Sequence, residues 1–145
     1  MSGAAGARVV TAARGWLGTP YRHQASAKGA GADCLGLVRG VWREVVGPEP
    51  EAPPAYSADW GEIGSEEVLM DAALRHLGGK NGAPEPGDVL LFRMRAGAIA
   101  KHLGIMSDGG RFVHAYNRHG VVESALSEPW ARRLLAVFQF PLGRV

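Results

Sequence analysis

The stretch Gly31-Ala32-Asp33-Cys34-Leu35-Gly36-Leu37-Val38 decides the reading of this chain, because there a loop of small residues becomes a helix and the one cysteine stands at the changeover. Asp33 has the residue type and the position of an N-cap. From Cys34 onward Leu35, Val38, Val41, Trp42, Val45 and Val46 form an amphipathic stripe that ends at Gly47-Pro48. A thiol in the first helical turn feels the partial positive charge of the helix N-terminus, which lowers its pKa below the usual value of about 8.5 and makes it a nucleophile. A lone cysteine can also be a small buried hydrophobe. The cap and the flanking glycines favour the reagent.

Upstream, Val9, Val10, Ala13, Trp16 and Leu17 fall at helical spacing between Ala7 and Leu17, with Gly18 and Pro20 as a stop. Tyr21 to Ala32 reads as a loop that delivers the chain to Asp33. Tyr21, set by Pro20, can donate to a substrate or an oxyanion; a half-buried loop aromatic is the plainer alternative. Downstream, residues 47–64 carry Pro48, Pro50, Pro53 and Pro54 and read as an irregular excursion that lines or lids a groove, flanked by Tyr56 and Trp60. Ser65 then caps a third helix through Leu77, with Gly78-Gly79 as its exit. After the turn Glu85-Pro86-Gly87-Asp88 the pattern changes to five β-rich runs: Val89 to Met94, Leu103 to Ser107, Arg111 to Tyr116, Val121 to Glu123 and Leu134 to Phe140. Helices followed by strands predict an α+β fold, with N-terminal helices packed on a C-terminal antiparallel sheet of about five strands. The length fits a single domain over 1–145, with a core from about 7 to 141.

Two histidines lie on the strands joined by Asp108-Gly109-Gly110. A three-residue loop with a left-handed glycine pairs Ser107 with Arg111, sets Gly104 against His114 and His102 against Tyr116, and so puts both imidazoles on one face about 7 to 8 Å apart at Cα. The other face then carries Leu103, Ile105, Val113 and Ala115 as a core face. A two-residue loop would separate the histidines. In the predicted register the histidine face is free to meet the Cys34 helix, with His102 taking the thiol proton and His114 fixing the orientation of His102. His76, near the end of the third helix, and His119, in a turn, stay outside this set.

The remaining composition removes several function classes. The 16 Lys plus Arg are nearly balanced by 14 Asp plus Glu, and the arginines are scattered, so a nucleic-acid partner is not expected. One cysteine makes no internal disulfide. His23, Asp33 and Cys34 suggest a zinc set only weakly, because no Cys-x-x-Cys or His-x-x-x-His pair supplies local ligand spacing; no metal or cofactor is expected. No run of 18 apolar residues and no signal-peptide pattern is present, so neither membrane insertion nor ordinary export is expected.

Taken together, Leu17-Gly18-Thr19-Pro20-Tyr21, Asp33-Cys34-Leu35-Gly36-Leu37-Val38, Pro86-Gly87-Asp88-Val89-Leu90-Leu91-Phe92, His102-Leu103-Gly104-Ile105-Met106 and Phe112-Val113-His114-Ala115 resemble the NlpC/P60 family of cell-wall cysteine peptidases. The resemblance covers most of the chain. It implies a papain-like domain that cleaves peptidoglycan stem peptides at the γ-D-glutamyl to diaminopimelate bond. Cys34 is then the nucleophile, His102 the general base and His114 the third polar residue, with Tyr21 and Asp33 on the substrate and oxyanion side. Most members place Ser after the cysteine, where this chain has Leu35. That variant looks like the subgroup among phage-tail and gene-transfer-agent peptidases, which implies synthesis in the cytoplasm, tail or baseplate proteins as partners, and action at the cell wall. Two alternatives stand beside this reading: a non-catalytic structural tail-tip protein of the same fold, and an amidase or acyl transferase using the same Cys-His site.

Overall fold

The computed structural model describes residues 3–50, 75–93 and 102–142. Helix α1 runs Gly3–Arg14 and buries Gly6, Val9, Val10 and Ala13. The turn after it buries Trp16 but leaves Leu17 41% exposed, because Gly18 at φ 86 has already turned the chain away. Helix α2 runs Cys34–Val45 with Asp33 as its N-cap. The two helices approach closely over Gly40, where an added Cβ would come within 2.0 Å of the Trp16 ring.

The segment between the helices is more ordered than a loop reading allows. Strands β1 (Ser26–Ala27) and β2 (Gly31–Ala32) form a small antiparallel hairpin, and Tyr21 bridges Ala32 alongside it. Four strand residues without a β-branched side chain carry no periodicity to detect. The hairpin clamps the start of α2: Gln24 N–H donates to Asp33, and Ser26 Oγ donates to the Gly36 carbonyl at 2.6 Å.

Beyond residue 74 the chain builds a sheet of six strands, not about five. These are β3 (Gly78–Lys80), β4 (Val89–Phe92), β5 (His102–Met106), β6 (Arg111–Tyr116), β7 (Gly120–Ala125) and β8 (Leu134–Gln139), with a short helix α3 (Glu128–Ala131) before β8. They lie in the order β3-β8-β4-β5-β6-β7, each neighbouring pair antiparallel. The added strand is Gly78-Gly79-Lys80, which was expected only as a helix exit. It is an edge strand paired with β8, and Lys80 is tied down by Asp88 and Glu85. Most of the helix expected from Ser65 lies outside the described residues, as do Tyr56 and Trp60; Arg75 and His76 at its end are helical.

The β5–β6 hairpin has the expected register. Ile105 pairs with Val113 and Met106 with Phe112, and Ser107 N–H donates to the Arg111 carbonyl at 2.8 Å. Gly109 and Gly110 both take positive φ in the loop, 67° and 71°, a conformation that glycine adopts without strain. Strand alternation then sorts the sheet into two apolar layers. Val89, Leu91, Leu103, Ile105, Val113 and Ala115 pack with Val9, Ala13, Leu37 and Val41 of the helices. Leu90, Phe92, Met106, Phe112 and Val137 pack on the opposite face with Leu126, Trp130 and Leu134. All four residues of β4 are buried, as a continuous apolar run implies for a strand covered on both sides.

Candidate active site

Cys34 is positioned by its cap. Asp33 Oδ1 accepts the Gly36 N–H and Oδ2 the Gln24 N–H, both at 2.7 Å. Both oxygens of this buried carboxylate serve backbone donors, so Asp33 sets the angle of the helix start. Gly36 is required there, because a Cβ would fall 1.8 Å from the Ala25 carbonyl oxygen. The backbone N–H groups of Leu103 and Leu35 are directed at the sulfur and, with the N–H of Cys34 itself, favour its thiolate form.

His102 and His114 are joined directly: His102 Nε2 lies 2.8 Å from His114 Nδ1. His114 Nε2 lies 2.9 Å from Ser124 Oγ. The two rings sit edge to face inside an aromatic box. Phe112 lies against His114 at 4.2 Å between centroids, and Trp130 covers His102 and His114 at 5.5 and 5.1 Å. Tyr116 closes one side, and His119 stacks flat on Tyr116.

The histidine face does not meet α2, contrary to the expectation from the hairpin register. The histidine pair belongs to the face of Phe92, Phe112 and Trp130, whereas α2 packs on the face of Leu103 and Ile105. Both faces are apolar and each has its own cover: Leu37 and Val41 of α2 bury against Leu103, Ile105, Val113 and Ala115, and Leu126, Trp130 and Leu134 cover the imidazole face. What the sheet brings to Cys34 is the start of β5, where the peptide N–H directly after His102 is directed at the sulfur. The site is built around a strand end and not across a sheet face.

Burial sets the charge states. It pushes the Cys34 thiol up to about 12, helped by the Asp33 charge and opposed by the three backbone N–H groups. The helix-start effect expected to lower it is outweighed, because the thiol is buried and an acidic cap stands beside it. Burial holds His102 down at about 3, with His114 adding to the effect, and holds His114 at about 4, with His119 adding. Tyr21, half-buried, is raised to about 12 by burial and then by Cys34 and Asp33. At neutral pH thiol, phenol and both imidazoles are uncharged.

Ser124 and Trp130 were not anticipated as parts of this cluster, whereas Tyr116 lies beside His102 as the hairpin register predicts. Ser124 could have been found by extending the β6–β7 pairing: Phe112 faces Ser124 and His114 faces Val122, so Ser124 is a diagonal neighbour of His114. Trp130 sits on a four-residue helix too short to leave a periodic signal. Among the described residues no three His, Cys, Asp or Glu side chains gather to hold a metal ion; His23 and Asp33 make a pair at 3.9 Å.

Apart from α1, every helix and strand of this architecture falls within residues 18–139, which match the sequence profile of the NlpC/P60 family. The chain belongs to the NlpC/P60 family. It is 33% identical over 119 residues to "Murein DD-endopeptidase MepS/Murein LD-carboxypeptidase" of Escherichia coli (strain K12), across 81% of this chain and 54% of that protein. It is 29% identical over 133 residues to the gamma-DL-glutamyl hydrolase of Bacillus subtilis (strain 168), across 91% of this chain and 29% of that protein. The chain thus spans about half the length of the first of these NlpC/P60 relatives and less of the second. The crystal structure of the NlpC/p60 domain of peptidoglycan hydrolase SagA has the same fold, with a TM-score of 0.61 at 21% identity over 93% of this chain and 98% of that one.

Proposed function

We propose that this protein is a cysteine peptidase that hydrolyses peptidoglycan stem peptides, with Cys34 as nucleophile, His102 as general base and His114 as the residue that orients it. The observation that carries the reading is the 2.8 Å bond from His102 Nε2 to His114 Nδ1 at the start of β5, next to the Leu103 N–H that is directed at the Cys34 sulfur. With Nε2 engaged, Nδ1 of His102 is the nitrogen that receives the thiol proton.

The neutral resting state implies that this transfer accompanies attack. Sulfur bonds to the amide carbonyl carbon as its proton passes to His102. The oxyanion is met by the Cys34 N–H at the start of α2, whose neighbour Gly36 N–H is held by Asp33, with the neutral Tyr21 phenol as a further donor. The C–N bond breaks, His102 protonates the leaving amine, and a thioester remains. Water attacks that thioester, giving one proton to His102, and the thiol is restored.

The bond assigned is γ-D-glutamyl to diaminopimelate. The family resemblance supports it, and the γ-glutamyl chemistry in the name of the Bacillus subtilis relative is in keeping with it, whereas the name of the Escherichia coli relative points to DD- and LD-bonds of the same polymer. Delivery by a phage-like tail, with tail or baseplate proteins as partners and action at the cell wall, is supported by Leu35 after the cysteine. Burial of a neutral thiol favours a second reading, a tail-tip protein that keeps the fold and does not cut. Mass spectrometry of defined muropeptides incubated with the protein separates these. New diaminopimelate N-termini are the expected product; cleavage at another amide overturns the bond assignment, and intact muropeptides overturn the peptidase.

A further inference from the structure

We propose that Ser124 is a positioning residue that sets the tautomer of the histidine pair, so that His102 presents a bare Nδ1 to Cys34. This rests on the reading of Cys34 and His102 as nucleophile and base. A neutral imidazole carries one N–H, and the nitrogen left bare is fixed by the bond the other makes. Between His102 Nε2 and His114 Nδ1, 2.8 Å apart, one proton must lie, and it can belong to either ring.

If it belongs to His102, Nδ1 of that ring is bare and able to take a proton. His114 then accepts at Nδ1, carries its own proton on Nε2, and donates it to Ser124 Oγ at 2.9 Å. If it belongs to His114, every role reverses. His102 carries its proton on Nδ1, where it blocks transfer from the thiol, and Ser124 must donate to the bare Nε2 of His114. Only the first arrangement does base chemistry.

The surroundings of Ser124 favour its acting as acceptor. It lies on β7, part-buried, so its own O–H has access to water while its oxygen stays available to His114. The pair is otherwise enclosed by Phe92, Phe112, Tyr116 and Trp130, whose rings are poor acceptors for an imidazole N–H. When His102 gains the thiol proton, the charge is shared toward His114, and Ser124 is the next oxygen in line. Removing that oxygen leaves a buried N–H without an acceptor and moves the pair toward the inactive tautomer.

The test compares wild type, Ser124→Ala and Ser124→Thr, each with ¹⁵N-labelled histidine. Nitrogen NMR at neutral pH reads the tautomers, and steady-state turnover of a muropeptide reads kcat and KM. Wild type is expected to show both rings protonated at Nε2. Ser124→Ala is expected to move both toward Nδ1 and to lose about 10- to 100-fold in kcat with little change in KM; Ser124→Thr restores both. Unchanged tautomers in Ser124→Ala overturn the proposal, as does a loss of kcat that the threonine hydroxyl does not restore. If Ser124→Ala does not fold, Ser124→Asp, an acceptor only at neutral pH, must enrich the Nε2–H form, and failure to do so overturns the proposal. The NMR result does not depend on turnover, so an inactive wild type refutes the peptidase and leaves the tautomer question answered separately.

Discussion

Lowering the pH from 7 to 5 is expected to remove about 4 kcal/mol of folding stability through the histidine pair alone. In the native protein burial keeps His102 near 3 and His114 near 4, so both stay neutral at pH 5. In the unfolded chain each titrates at about 6.5 and is mostly protonated there. The unfolded state therefore binds more protons, and the stabilisation is present above about pH 6.5 and is lost as pH falls toward 4. Each ring contributes about 2 kcal/mol between pH 7 and 5, because the unfolded population gains a factor of roughly 25 per histidine. Against a total stability of about 5–15 kcal/mol this is large. Urea titrations followed by tryptophan fluorescence at pH 7, 6 and 5 should show the midpoint falling by about 2 M for a slope of about 2 kcal/mol per M. The double variant His102→Gln/His114→Gln should lose most of that pH dependence. Stopping at pH 5 limits interference from Glu49, Glu85 and Glu123, whose cation partners lower their pKa values so that their contribution is lost at lower pH. A midpoint that is flat from pH 7 to 5, or that falls equally in the double variant, would refute the neutral buried pair.

Three further outcomes follow from the same geometry. Asp33→Ala should cost about 2–4 kcal/mol, since it removes a cap and strands the Gln24 and Gly36 N–H groups, and it should lower the thiol pKa by removing the Asp33 charge; chemical denaturation and thiolate absorbance at 240 nm measure the two effects. Gly40→Ala should destabilise by about 1–3 kcal/mol through overpacking on Trp16, read from the thermal midpoint, and a neutral result would contradict the close approach of α1 and α2. Iodoacetamide should modify Cys34 at pH 7 about 1000-fold more slowly than a small-molecule thiol, because a pKa of about 12 leaves a thiolate fraction near ~10⁻⁵ where an ordinary cysteine has a few per cent.

The elements that sequence pattern revealed are those with strong local signals. The α2 helix shows a long apolar stripe and an aspartate cap, and the Asp108-Gly109-Gly110 loop determines a register that the backbone pairs reproduce. What escaped had weak or non-local causes. The β1–β2 hairpin and the Gly78–Lys80 edge strand exist because neighbouring backbone recruits them, not because of their side chains. The face on which α2 packs depends on what covers each of the two apolar strand faces once all six strands are assembled. The same assembly explains the thiol: a helix start lowers its pKa in isolation, but burial beside Asp33 raises it. Ser124 and Trp130 join the histidines only through pairing and packing that bring β7 and α3 to them. Sequence spacing could nominate Cys34, His102 and His114, and tertiary structure was needed to show that the histidines bond to each other and that the peptide following His102 reaches the Cys34 sulfur.

Cys34 is proposed as the nucleophile of peptide-bond hydrolysis and His102 as its base. Digestion of purified peptidoglycan by wild type and Cys34→Ala side by side, with soluble products resolved by mass spectrometry, tests this assignment most directly. Stem-peptide fragments should be released by wild type and absent with Cys34→Ala at equal folded concentration. Equal release by both proteins, or none from the wild type where a known peptidase cuts the same material, would contradict it.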